Sequence, residues 1–154
     1  MAHSKIVTGK VFRLLTESKA GVDVVYTCLP LFHSAAGIIG VGILFSGCTM
    51  VLRKRFSAHR FFEDCARNKV TVVQYIGELC RYLLATPPSK LDRAHKVRVA
   101  IGNGLRPEIW KQFQDRFNIP EVVEFYGVSL MLKKMIAMRC FLDGACRRHR
   151  FQRR

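Results

Sequence analysis

Two short segments of this chain have the residue types and spacing to work together on one ligand. Ile101 to Arg106 reads IGNGLR, and Glu124 to Gly127, about twenty residues later, reads EFYG. Each lies where a short apolar strand runs out. Gly102, Asn103 and Gly104 place two glycines around a small polar residue, leaving backbone bare of side chains. Such a wall can pack against a purine. Glu124, Phe125, Tyr126 and Gly127 could set an aromatic face beside the same base, with the glycine permitting close approach. The pattern is not a phosphate loop, because neither GxxxxGK with Ser or Thr nor GxGxxG is present. Each segment also has a plain reading, as a tight turn and as a strand end.

Two further segments could border an acyl group. His33 stands in LPLFHSAAG, after a turn fixed by Pro30. With Phe32 it could line the passage of a carboxylate toward a nucleotide, or it could be a loop histidine satisfied by backbone. Ser34 beside it has no GxSxG elbow and so carries no hydrolase chemistry. Gln74, Tyr75, Ile76 and Gly77, followed by Glu78, form a strand-to-helix turn. The glycine would let backbone approach a long acyl chain or a nucleotide; ordinary turn chemistry is the alternative. Cys140, Cys146 and His149 match no standard zinc spacing and lack a fourth ligand.

The elements that must position these residues alternate. The spacing predicts an amphipathic helix over Ser4 to Thr16, then a strand over Val24 to Cys28. A glycine-containing apolar helix over Ala35 to Phe45 ends at Gly47. A strand covers Thr49 to Leu52, and Ser57 N-caps a helix through Ala66. A β-branched strand covers Val70 to Ile76, and a short helix runs from Gly77 to Leu84, stopped by Pro87 and Pro88. A strand at Arg98 to Ile101, a helix from Pro107 to Phe117, and a last strand at Val122 to Tyr126 complete the pattern. Alternation of this kind predicts a largely parallel sheet covered by helices. In such sheets ligands bind beyond the carboxyl ends of the strands, where all four segments fall.

Length permits one domain or part of one, and 49% apolar residues suffice for a core. The net charge is +15, of which residues 128–154 carry +7, with 8 basic residues against 1 acidic. The body is moderately basic, which suits anionic ligands or an anionic membrane surface. Its cations are dispersed and accompany no reading motif, so nucleic acid is not an expected partner. The tail CRRHRFQRR could mimic a nucleic-acid patch but reads as a solvated basic end. There is no apolar leader, and the six cysteines form no CxxC pair, so reduced core thiols facing the cytosol are expected. Val24 to Leu52 lacks Asp, Glu, Lys and Arg, but Pro30, His33 and its glycines argue for buried or membrane-facing structure over a spanning helix.

Taken in order, YTCLPLFHSAAGIIG, FSAHRFFEDCARNKVTVVQYIGELCRYLL, HKVRVAIGNGLRPEIW and EVVEFYG resemble the fatty acid transport protein family. Its members are also called very long-chain acyl-CoA synthetases, within the adenylate-forming, AMP-binding enzymes. The resemblance covers roughly residues 3 to 127. It implies a partial, mostly parallel α/β sheet from the large N-terminal domain of such an enzyme. It also implies a two-step ligation. A long-chain fatty acid carboxylate attacks the α-phosphate of ATP with Mg²⁺ assistance, and CoA thiolate then displaces AMP. By similarity, Gly102, Asn103 and Gly104 line one side of adenine, and Glu124, Phe125, Tyr126 and Gly127 the other. His33 and the turn of Gln74, Tyr75, Ile76 and Gly77 border the acyl entrance. The resemblance further implies association with the cytosolic face of the endoplasmic reticulum or plasma membrane, and leaves a homo-oligomer open.

The chain departs from the family where chemistry is densest. The family's Ser/Thr/Gly-rich phosphate loop lies ahead of the point matching His3, and its mobile C-terminal domain lies beyond the last match. Where the family continues with Ala-Thr-Glu, whose Glu serves Mg²⁺, this chain has Val128 and Ser129. Two units are therefore expected: residues 1–127 as partial AMP-binding domain and 128–154 as an unrelated, unstructured basic tail. Val-Ser can be written GTAAGT, a common intron start, so the tail reads as translated intron or a mis-joined exon. Such a chain is expected to be inactive alone and marginally stable, with exposed sheet edges.

Overall fold

The computed structural model describes residues 12–13, 15–32, 40, 42–126 and 136–139, the last four together with 125 and 126 as backbone only. One six-stranded sheet organises them. Its strands are β1 (Val24–Thr27), β2 (Thr49–Leu52), β3 (Val72–Ile76), β4 (Val99–Asn103), β5 (Glu121–Tyr126) and β6 (Ile136–Arg139). Their order is β2-β1-β3-β4-β5-β6; the first five run parallel and β6 pairs antiparallel with β5. Strands β1, β3 and β4 are short and largely buried on both faces, as a sheet covered on two sides requires, while β2 at the edge is partly exposed.

Alternation along the strands sends side chains to two cores. Tyr26, Val73, Tyr75, Ala100 and Val122 face one, beneath helices α1 (Phe61–Arg67), α2 (Gly77–Ala85) and α3 (Pro107–Phe117). Phe61, Phe62, Leu79, Leu83, Phe113 and Phe117 supply its helical side. Phe62 stacks on Phe117 at 4.3 Å between centroids and on His95 at 4.7 Å. Val25, Val72, Val99, Ile101 and Val123 face the other core, with Phe12 and Ile43. The strand order reverses between β1 and β3, so the first crossover covers the opposite face from the later ones. Ligand sites of open α/β sheets lie at such reversals.

Expected and observed elements agree with local exceptions. Pro107 opens α3, and Asn118 closes it with φ +51°. Gly47 ends the helical residues 42–45 with φ +78°. Ser57 does not cap α1: the helix begins at Phe61, and Arg60 stands at its N-cap without a side-chain bond. The carbonyl of Ser57 instead accepts the Arg60 amide at 3.2 Å, forming a turn ahead of the helix. Lys90–Arg93 forms an unexpected 3₁₀ turn, closed by a capping box between Ser89 and Asp92. β5 was expected to be the last strand; β6 adds one from within 128–154. Most of the expected helix over 4–16, and His33, fall outside the described residues. No helix among the described residues is long and apolar enough to cross a membrane. Cys28, Cys48, Cys65 and Cys80 are buried free thiols, as core cysteines should be, and burial pushes Cys28 up to about 12.

A carboxylate clamps the amino ends of the strands. Asp23, just before β1, accepts from the Thr71 hydroxyl at 2.6 Å, the Lys19 amide at 2.7 Å and the Arg98 guanidinium at 3.1 Å. Burial pushes this carboxyl up, but Thr71, Lys19 and Arg98 together outweigh it and hold the group below the usual carboxylate range. The unfolded chain therefore binds the proton first as pH falls, so this stabilisation is present above pH 3.8 and is lost below it. Asp23→Asn should cost about 2 kcal/mol at neutral pH. Urea unfolding followed by the single tryptophan, buried Trp110, measures it. An unchanged midpoint and acid limb in the variant would contradict the clamp.

Candidate nucleotide-facing site

The described residues among those singled out from sequence converge at the opposite, carboxyl end of the sheet. Gln74, Tyr75 and Ile76 end β3, and Gly77 opens α2 without a break. Gly102 and Asn103 end β4, and Gly104 follows with φ +75°. Glu124, Phe125 and Tyr126 lie in the last half of β5. Register places Tyr75 beside Gly102, and Gly102 beside Glu124. These three form one row across β3, β4 and β5, on the face covered by α1, α2 and α3.

The row is bonded through its middle. The Tyr75 hydroxyl donates to Glu124 Oε1 at 2.9 Å, passing over Gly102. A Cβ on Gly102 would lie 2.2 Å from the Tyr75 carbonyl oxygen and 2.7 Å from its ring. Glycine is therefore required there so that the ring can cross. Glu124 Oε1 also accepts the Leu105 amide at 2.8 Å, and Oε2 accepts the Gly104 amide at 3.2 Å. One carboxylate thus ties the turn after β4 to both flanking strands. Tyr75 is 1% exposed, and burial, then the Glu124 charge, pushes its phenol far up, so it remains a donor.

Gly77 locks the turn from the other side. A Cβ there would fall 1.7 Å from the Gly104 carbonyl oxygen and 2.9 Å from the Leu105 amide nitrogen. The close approach anticipated at Gly77 is thus filled by the chain's own backbone. What faces outward is Asn103, half-buried, and Gly104, exposed. Gln74, on the face opposite Tyr75, is fully buried. His33 and Gly127 lie outside the described residues, and the side chains of Phe125 and Tyr126 are not described. The link from Tyr75 through Glu124 to Leu105 was not anticipated. Its signal was the period-2 alternation that puts Tyr75, Gly102 and Glu124 on one face once the register is known.

The arrangement is a rigid backbone platform. The Glu124 carboxylate is committed to holding the turn, and among the described residues no nucleophile with a neighbouring base stands at it. A cleft of about 250 Å³, lined by Phe62, Pro87 and Asp92 among others, lies on the helical side and includes none of these residues. Among the described residues no group of three or more His, Cys, Asp or Glu could hold a metal ion.

A doubly wound sheet with a backbone turn at its carboxyl edge defines an α/β domain of the class that takes ligands beyond its strand ends. The chain belongs to the AMP-binding enzyme family, whose model matches residues 1–129. It is 51% identical over 130 residues to long-chain fatty acid transport protein 1 of Homo sapiens, covering 84% of this chain and 20% of that protein. It is 51% identical over 110 residues to the medium/long-chain-fatty-acid–CoA ligase FadD6 of Mycobacterium tuberculosis, covering 71% and 18%. The chain thus spans about a fifth of the length of these curated relatives. Its fold is also that of a Mycobacterium tuberculosis fatty acyl CoA synthetase, with a TM-score of 0.70 and 22% identity over 82% of this chain and 25% of that one. ATP-bound MatB from Rhodopseudomonas palustris gives 0.67 and 18% over 82% and 25%. The resemblance read from the motifs and the expected fold class are both borne out.

Proposed function

We propose that residues 1–127 are the purine-facing part of a long-chain or very long-chain fatty acid–CoA ligase coupled to fatty acid uptake. The observation that carries this reading is the turn of Gly102, Asn103 and Gly104, held by Glu124 and Tyr75 at the carboxyl edge of an AMP-binding sheet. In this reading the backbone of Asn103 and Gly104 presents one wall to adenine, and Tyr126 with Gly127 the other. Its rigidity matters because a preset wall loses little entropy when a base is bound. His33 and the turn at Gln74 to Gly77 border the acyl route. ATP and CoA are the co-substrates. Mg²⁺ would neutralise phosphate charge, but the described residues do not fit such an ion, so no step is assigned to it here. Residues 128–154 lie almost wholly beyond the family match and take no part in the ligation.

ATP-dependent oleoyl-CoA formation tests this. The chain alone is expected to form none. A chimera of human long-chain fatty acid transport protein 1, with residues 1–127 replacing its matching segment, is expected to form it. A folded chimera with no activity would overturn the proposal.

A second reading, a non-catalytic membrane-associated protein that binds fatty acid, draws on exposed apolar side chains. Phe32 is 92% exposed, and Leu31, Leu44 and Phe45 are also exposed. Oleate binding by the chain without any ligation in the chimera would favour it.

A further inference from the structure

The loop after β2 carries a hydroxyl that the fold does not use. Residues 53 to 60 read Arg-Lys-Arg-Phe-Ser-Ala-His-Arg. Arg53 pairs with Asp64 and donates to the Arg55 carbonyl at 3.0 Å, folding the loop back. Phe56 anchors it, its ring 6.3 Å from Phe61 and 6.4 Å from Tyr82. Ser57 follows on an ordered turn, half-exposed, and its hydroxyl bonds to no other described residue. Lys54, Arg55 and Arg60 form no ion pair among the described residues.

We propose that Ser57 is a phosphorylation site for a serine kinase that selects basic residues two and three positions before its target. An acidic kinase cleft would be steered by Lys54 and Arg55. The Ser57 Oγ attacks the γ-phosphorus of ATP, its proton passes to the kinase's base, and ADP leaves. The resulting phosphate brings about −1.5 to −2 charges into a cluster of unpaired cations, where Lys54, Arg55 and Arg60 can bond it. Other hydroxyls with basic residues upstream are less suited. Thr16 is fully buried, and the Thr71 hydroxyl is engaged with Asp23. The inference is independent of the ligase reading, since it uses no residue of the carboxyl-edge site.

The full chain, incubated with Mg·ATP and cyclic-AMP-dependent protein kinase as the probe, should take up one phosphate at Ser57, located by peptide mass spectrometry. Ser57→Ala should remove it, and Lys54→Ala with Arg55→Ala should slow it at least tenfold. The phosphorylated chain should melt higher than Ser57→Ala at low salt, and Arg60→Ala should reduce that gain. No incorporation at Ser57, an undiminished rate in the double variant, or incorporation only after urea denaturation would each overturn the proposal.

Discussion

Gly77→Ala is expected to remove the folded carboxyl edge of this sheet. The added Cβ would meet the Gly104 carbonyl oxygen at 1.7 Å and its carbon at 2.4 Å. Both atoms are backbone, so no side-chain rotation relieves the clash. The start of α2 and the turn after β4 must separate, at a cost of about 3 kcal/mol or more. In a chain this size that is a large fraction of total stability. Gly40→Ala is the control. It lies in a helical segment, where its Cβ would make ordinary contacts at 3.5 Å with Leu31 and 3.7 Å with Met50. It should stabilise by about 0.5–1 kcal/mol. Urea midpoints read from Trp110 fluorescence separate the two; equal midpoints would show that the Gly77 contact is not formed.

The second large effect belongs to Glu124. Glu124→Ala strips an acceptor from three donors at once: Tyr75 Oη and the amides of Gly104 and Leu105. Charge-assisted hydrogen bonds and a stranded buried hydroxyl put the loss at about 3 kcal/mol. Tyr75→Phe removes one donor and leaves the carboxylate on both amides, so it should cost only about 1 kcal/mol. Hydrogen exchange gives a sharper reading than global stability. In Glu124→Ala the Gly104 and Leu105 amides should exchange faster than the amides of β3. In the chimera the same variant should raise KM for ATP more than KM for fatty acid. Unchanged exchange at both amides would refute the staple.

Sequence reasoning reached the class of fold, and brought the candidate segments to one sheet edge, because both rest on local signals. Apolar runs of β-branched residues marked β1 to β4, Pro107 marked the start of α3, and glycines after the strands marked the edge. What stayed hidden depends on register and on distant partners. Gly77 was read as room for a ligand, yet the neighbour that fills it is Gly104, 27 residues away in sequence. Glu124 was read as part of a wall facing a base, and its carboxylate is turned toward Leu105 and Tyr75. Ser57 is a residue type favoured at N-caps, but its carbonyl is taken by the Arg60 amide in a turn, and the helix begins only at Phe61. Pairing by Ile136–Arg139 was invisible because a basic, Met-rich stretch carries no clear strand period.

The strand order also bears on how the chain is made. From β4 onward each new strand docks beside the one synthesised just before it, whereas β3 docks on β1, two strands back in sequence. A chain leaving the ribosome can therefore extend the sheet vectorially, adding β4 on β3 and then β5 on β4. Glu124 sits in the strand that arrives after the turn it fastens. Until β5 emerges, the amides of Gly104 and Leu105 have only solvent to bond. A pause in translation before residue 121 would hold the nascent chain with its core begun and the turn after β4 still unfastened.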